Sequence, residues 1–134
     1  MTHTPDPLRE ANEDLTLAMV IYALFIASLM AFPPAAIVGV IMAHAASRTA
    51  GPVAASHHRF QIRTFWMGLA AWALAGASLF WGSIFSAILI GIPLFLTALL
   101  AFPAIWLWAL VRSAVGLTWA AQQDACARPE TLTL

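Results

Sequence analysis

Two long runs of the chain carry no formal charge, residues 15–47 and 64–111. As helices they would extend roughly 50 and 70 Å at about 1.5 Å per residue, against about 30 Å for the hydrocarbon core of a bilayer. Each run is too long for one membrane span, so each predicts a helical hairpin. In the first run the break falls at Phe32-Pro33-Pro34, because proline suits the first turn of a helix and disfavours helix in the residue before it. That gives one helix over about 16–32 and a second over about 34–47, with a single kinked helix over 16–46 as the alternative. In the second run Gly82-Ser83 and Gly91-Ile92-Pro93 are the candidate breaks. A turn near 88–93 is favoured, since a helix opening at Pro93 reaches Arg112 after roughly 29 Å, about one bilayer core. Pro103 then falls inside the last helix and predicts a kink there.

Composition strengthens the membrane reading. Apolar residues make up 62% and charged residues 9%, where soluble domains run near 45–50% and about 25%. The six basic residues are all Arg, and no acid lies between residues 15 and 123. This excludes an ordinary soluble enzyme, a disordered tail and a nucleic-acid binder with a basic face. The expected fold is all-α and polytopic: four transmembrane helices as two hairpins, or three helices with a kinked first helix. The transmembrane domain covers 15–120, between a polar N-terminal segment, 1–14, and a polar tail, 121–134. The first 14 residues hold four acids against one Arg, unlike a signal peptide, and the tail lacks a lipidation box.

Arginine sets the orientation. Arg48, Arg59 and Arg63 lie between the two runs and Arg112 closes the second. With four helices all of them, and both termini, fall on the cytoplasmic side, as the positive-inside rule requires; with three, the acidic N-terminus crosses. Trp66, Trp106 and Trp108 then occupy the belt beside the arginines, Trp81 lies toward the opposite face, and Trp72 falls between helices near mid-membrane.

Candidate chemistry concentrates in 56–66. Ser56 follows the breaker Gly51-Pro52 as an expected N-cap. At helical spacing Arg59, Arg63 and Trp66 form one stripe: two guanidiniums one turn apart above an indole, which suits an anionic lipid headgroup or an acidic partner. A general positive-inside anchor has the same geometry. His57, Gln61, Thr64 and Gly68 form a neighbouring stripe, polar and then small, which suits contact with other helices, with Gly68 as a point of close backbone approach. His57, His58, Gln61 and Arg112 join Arg59, Arg63 and Trp66 as candidate lipid- or partner-binding residues. Adjacent His57 and His58 point about 100° apart on a helix and chelate poorly together. His44 with one of them is a conceivable pair, but no carboxylate lies nearby, so neither metal nor cofactor is expected. The lone Cys126 is read as a free thiol.

Gly68, Ala71, Ala75 and Ser78 form a small-residue face on the third helix, Ala70, Ala73 and Ala77 another, and Ser83, Ala87 and Gly91 continue at four-residue spacing, a pattern of tight helix packing. No ionisable residue falls in the core of a span, which argues against proton-coupled transporters, pumps and voltage sensors. No nucleotide loop, nucleophile elbow or zincin motif is present, so no enzyme activity is expected.

The run Ser56-His57 with Arg59-Phe60-Gln61-Ile62-Arg63-Thr64-Phe65-Trp66, together with Leu89-Ile90-Gly91 and Arg112 to Gly116, resembles the signature of an uncharacterised family of small bacterial four-helix inner-membrane proteins. That family is in turn distantly similar to Tic-type import components of the chloroplast envelope. Ala55 and Val115 stand where the family often has Glu and Arg. The resemblance covers roughly 16–122 and implies the four-helix inner-membrane layout. The expected function is a non-enzymatic small accessory subunit of a larger membrane complex. An oligomeric channel or translocation component is the alternative, and anionic lipids, a larger complex or further copies of the chain are the expected partners.

Overall fold

The computed structural model describes residues 7–126, with side chains from Leu15 onward. The outer parts of the two expected polar ends, 1–6 and 127–134, lie outside the described residues. Four α-helices follow one another: α1 (Pro7–Met30), α2 (Pro34–Ala46), α3 (Pro52–Phe85) and α4 (Gly91–Ala121). No strand occurs among the described residues, so the all-α class holds.

The helix boundaries sit where proline and glycine put them. Ala31 to Pro33 separate α1 from α2, and Pro34 opens α2 with φ already suited to a first turn. The two helices pack side by side, so the kinked single helix is not what forms. Pro52 opens α3 after Gly51. Ser56 therefore lies within the first turns of α3 and is not its N-cap; its hydroxyl donates to the Val53 carbonyl at 2.6 Å. A turn of 3-10 helix (Ser86–Ile88) and Leu89, at φ 64°, reverse the chain between α3 and α4. A leucine in the left-handed region is unusual, and here it stands at an exposed turn. The last helix opens at Gly91, two residues before Pro93, and it encloses Pro103. It also runs on past Arg112 to Ala121, so Arg112 lies inside a helix and does not close it.

The chain divides into two compact units. One comprises residues up to Phe65 together with Arg112 onward; the other is Trp66–Val111. In the first, Ile21, Phe25, Val40 and Ala43 form a core that joins α1, α2 and, through Ile62 and Phe65, the start of α3. Gly39 brings α2 close to α1: a Cβ there would stand 2.8 Å from the Phe25 ring. A second core cluster contains Tyr22, Phe60, Ala120 and Cys126.

The second unit is a helical hairpin. Its arms, 66–85 and 91–111, are each about 30 Å long at about 1.5 Å per residue, one bilayer core. Ala75, Gly82, Gly91 and Ala98 are buried, whereas Trp66, Leu69, Leu74, Trp81, Leu96, Leu100 and Leu107 are exposed. The face with Gly68, Ala71, Ala75 and Ser78 turns inward and the face with Ala70, Ala73 and Ala77 outward. The close approach expected at Gly68 occurs elsewhere. A Cβ on Gly68 would meet only the Trp108 ring at 3.9 Å, an ordinary contact, whereas one on Gly82 would stand 2.6 Å from the Phe95 backbone nitrogen. Gly91 is equally enclosed by the Gly82 carbonyl and the Phe85–Ser86 backbone. Trp72 packs edge-on against Phe102 at 4.9 Å and keeps its other side exposed, so it is only half between helices.

By length and hydropathy two helices can cross a membrane: α3 with its following turn (Pro52–Ile88, 37 residues, mean hydropathy 1.5) and α4 (Gly91–Ala121, 31 residues, 2.2). Only 11% and 6% of their most apolar windows is buried. The apolar stretches of α1 and α2, Leu15–Met30 and Pro34–Ala46, are shorter.

Candidate functional site

The start of α3 carries His57, His58, Phe60, Gln61 and Thr64 on its inward faces, and all five are buried. Three of them are the polar stripe expected from the sequence to face other helices, and they do. Gln61 donates from Nε2 to the Ala18 carbonyl of α1 at 2.8 Å, and its Oε1 accepts from His58 Nδ1 at 3.2 Å. Thr64 donates to the Phe60 carbonyl at 2.7 Å, one turn back, and accepts from Arg112 Nε at 2.8 Å. The Arg112 guanidinium lies 3.9 Å above the Phe60 ring centroid. Burial leaves 1% of Arg112 exposed, and a charge so enclosed is tolerated because the ring face and the hydroxyl replace part of its hydration.

His57 is the centre of the cluster. Its Nε2 lies 2.8 Å from the Asp124 carbonyl oxygen. A carbonyl can only accept, so Nε2 holds the proton and Nδ1 is left as an acceptor. Two donors face that nitrogen, the Cys126 thiol at 3.2 Å and the Tyr22 hydroxyl at 3.3 Å, themselves 3.9 Å apart. The Cys126 backbone N–H donates to Ser56 Oγ at 3.1 Å. Residues 124–126 are thus fastened to the first turns of α3 at three points. Gly116 makes room for this arrangement, since a Cβ there would overlap the Tyr22 ring and stand 2.6 Å from its hydroxyl oxygen.

A cysteine beside an imidazole nitrogen is the geometry of an activated nucleophile, but the surroundings here do the opposite. Burial pushes the Cys126 thiol above its ordinary range, outweighing the Tyr22 hydrogen bond and the Arg112 charge, which pull it down. The arrangement therefore suits a neutral thiol that fastens the tail. We expect Cys126 to react with a maleimide at neutral pH at least tenfold more slowly in the folded protein than after denaturation. Equal rates would mean that the tail does not pack on α3. Because the folded value is raised, the thiol's contribution to stability is complete below about pH 8.5 and is lost as pH rises through the folded value.

The candidate binding residues divide into two groups. Arg59, Arg63 and Trp66 are each exposed on α3, with Arg59 Nε also 3.4 Å from the Ala55 carbonyl. His57, His58, Gln61 and Arg112 are interior and have no surface to offer a lipid or a partner. Their polarity serves contacts within the chain, which a reading of exposed stripes does not separate from binding. His44 is exposed on α2, where its Nδ1 pairs with the Val40 carbonyl at 2.8 Å. Among the described residues no group of three or more His, Cys, Asp or Glu side chains stands together. Tyr22 and Ser113 are buried polar residues that sequence reasoning missed. Tyr22 had a signal, being the only tyrosine of the chain and placed inside a charge-free run.

Comparison with family models, with curated proteins and with solved structures gives no match for this chain.

Proposed function

We propose that this chain is a non-enzymatic integral membrane protein of the bacterial inner membrane, held there by residues 66–111 with both termini cytoplasmic, and that it serves as a small accessory subunit of a larger membrane complex. One observation carries the membrane reading. Two helices long enough to cross a bilayer leave nearly all of their apolar windows uncovered by the protein itself. The apolar helix of a soluble core would be covered, and water would not tolerate this much uncovered apolar surface. Kinship with the small four-helix inner-membrane family belongs to the same proposal. It is supported by Ser56, His57, Phe60, Gln61 and Thr64, which carry the resemblance and are all core residues of one unit.

The arginines set the orientation and a lipid contact. Exposed Arg59 and Arg63 with exposed Trp66 offer two guanidiniums and an indole to anionic headgroups at the cytoplasmic surface. At about 1 kcal/mol for each arginine, replacing both with Gln should lower the enrichment of anionic lipid around the reconstituted protein by more than tenfold, as about 1.4 kcal/mol is a factor of ten. Unchanged enrichment would remove the lipid contact from the account.

The outward face with Ala70, Ala73 and Ala77 lets another helix approach closely, which supports assembly with a partner. The second reading, an oligomeric channel or translocation component, uses the same face between copies of the chain. A blue-native gel of the mildly solubilised protein separates the two: a band shared with another complex is the expected result, and a ladder of self-multiples would replace the accessory role with the oligomer.

A further inference from the structure

The α1–α2 hairpin is apolar in a graded way along its axis. Its helices run antiparallel around the turn at 31–33, so Asp14 and Arg48, the charges that bound the run, fall at its open end. Met30, Phe32, Ile37, Val38 and Ile41 lie toward its closed end and are all exposed. Water at that end would face a continuous apolar tip.

The reach of this hairpin is short. The Phe25 ring lies 6.4 Å from the Phe65 ring, which fixes the register of α1 on the start of α3. Phe65 directly precedes Trp66 and follows the exposed Arg63 by two residues. An exposed guanidinium cannot sit deep in hydrocarbon without large cost, so Phe65 lies near the bilayer surface. From Phe25 the turn at Phe32-Pro33 is seven to eight residues further on, about 10–12 Å along the helix whatever its tilt. Even with the ring separation added, this falls well short of the roughly 30 Å of a bilayer core.

We infer that α1 and α2 do not cross the membrane: the closed end of their hairpin enters the acyl-chain region of the cytoplasmic leaflet and returns, so the chain has two spans and one half-depth hairpin. The occupant of the exposed tip is lipid hydrocarbon. The inference rests on the membrane reading of residues 66–111 and replaces the four-span arrangement expected from the sequence. It keeps both termini on the cytoplasmic side.

The test uses single cysteines in the Cys126→Ser full-length chain, reconstituted or in oriented vesicles. Phe32→Cys reports on the tip and Leu89→Cys on the turn of the second hairpin; both native side chains are exposed, so neither change removes core packing. With a membrane-impermeant maleimide, Leu89→Cys should label from the far side only, and Phe32→Cys from neither side. A bimane at Phe32→Cys, attached with a permeant reagent, should be quenched by 5-doxyl lipid at least twofold more than by 12-doxyl lipid. Labelling of Phe32→Cys from the far side would overturn the inference in favour of a full span. Labelling from the cytoplasmic side would overturn it in favour of an aqueous tip, and no quenching by either lipid in favour of a protein-covered one. Failure of Leu89→Cys to label from the far side would instead bring down the membrane hairpin itself.

Discussion

Gly82→Ala should separate the two arms of the 66–111 hairpin. A Cβ at this position would stand 2.6 Å from the backbone nitrogen of Phe95 and 2.9 Å from its Cα. Backbone cannot rotate away as a side-chain end can, so one arm must move. Overpacking a well-filled interior costs about 1–3 kcal/mol, and contact with backbone puts this site at the upper end. Gly68→Ala is the control. Its Cβ would find ordinary contact with Trp108, and an alanine in place of glycine within a helix is favourable by about 1 kcal/mol. Thermal melting in detergent should show Gly82→Ala well below the parent and Gly68→Ala at or above it. Equal melting of the two variants would show that the arms do not meet at Gly82.

The second large effect is expected at Arg112. Replacement by Ala removes the guanidinium from the Phe60 ring, takes the charged donor from Thr64 and leaves a cavity where a fully enclosed side chain had been. A desolvated cation–π contact contributes about 2 kcal/mol, and a hydrogen bond from a charged group about 1.5–3. These overlap and do not add in full, so a loss of about 3 kcal/mol is expected. Arg112→Lys retains the charge but not the planar group that stacks on Phe60, and should recover only part of the loss. A melt of Arg112→Ala indistinguishable from the parent would show that the guanidinium spends its time outside the interior.

Most of the helix boundaries follow from local signals along the chain. Pro33-Pro34, Gly51-Pro52 and the Gly91 region act on the backbone of their own neighbours, and the turns fell there or within a few residues. The stripe of His57, Gln61 and Thr64 was readable for the same reason, since helical spacing alone puts them on one side. What the sequence did not display was non-local. Arg112 follows a long apolar run and so reads as an interfacial charge; only the fold shows α4 continuing to Ala121 with the guanidinium turned onto Phe60. Cys126 meets His57 across 69 positions of chain, and no spacing rule connects them. Among the glycines, Gly68 and Gly82 look alike in sequence, and only the position of the opposing helix tells an open neighbour from a crowded one. An uncharged run of sufficient length satisfies the hydropathy rule whether or not its two halves can each reach across, so the pattern of residues 15–47 does not by itself set the number of spans.

Residues 66–111 are proposed to cross the membrane twice and to return the chain to the side from which it entered. Labelling of two single-cysteine variants in sealed, right-side-out vesicles tests it most directly, with Leu89→Cys at the turn and Gln122→Cys just beyond α4, both exposed. An impermeant maleimide added outside should label Leu89→Cys and leave Gln122→Cys unreacted until the vesicles are opened. Labelling of both from outside, or of neither until opening, would place the two sites on one side of the membrane and contradict the account.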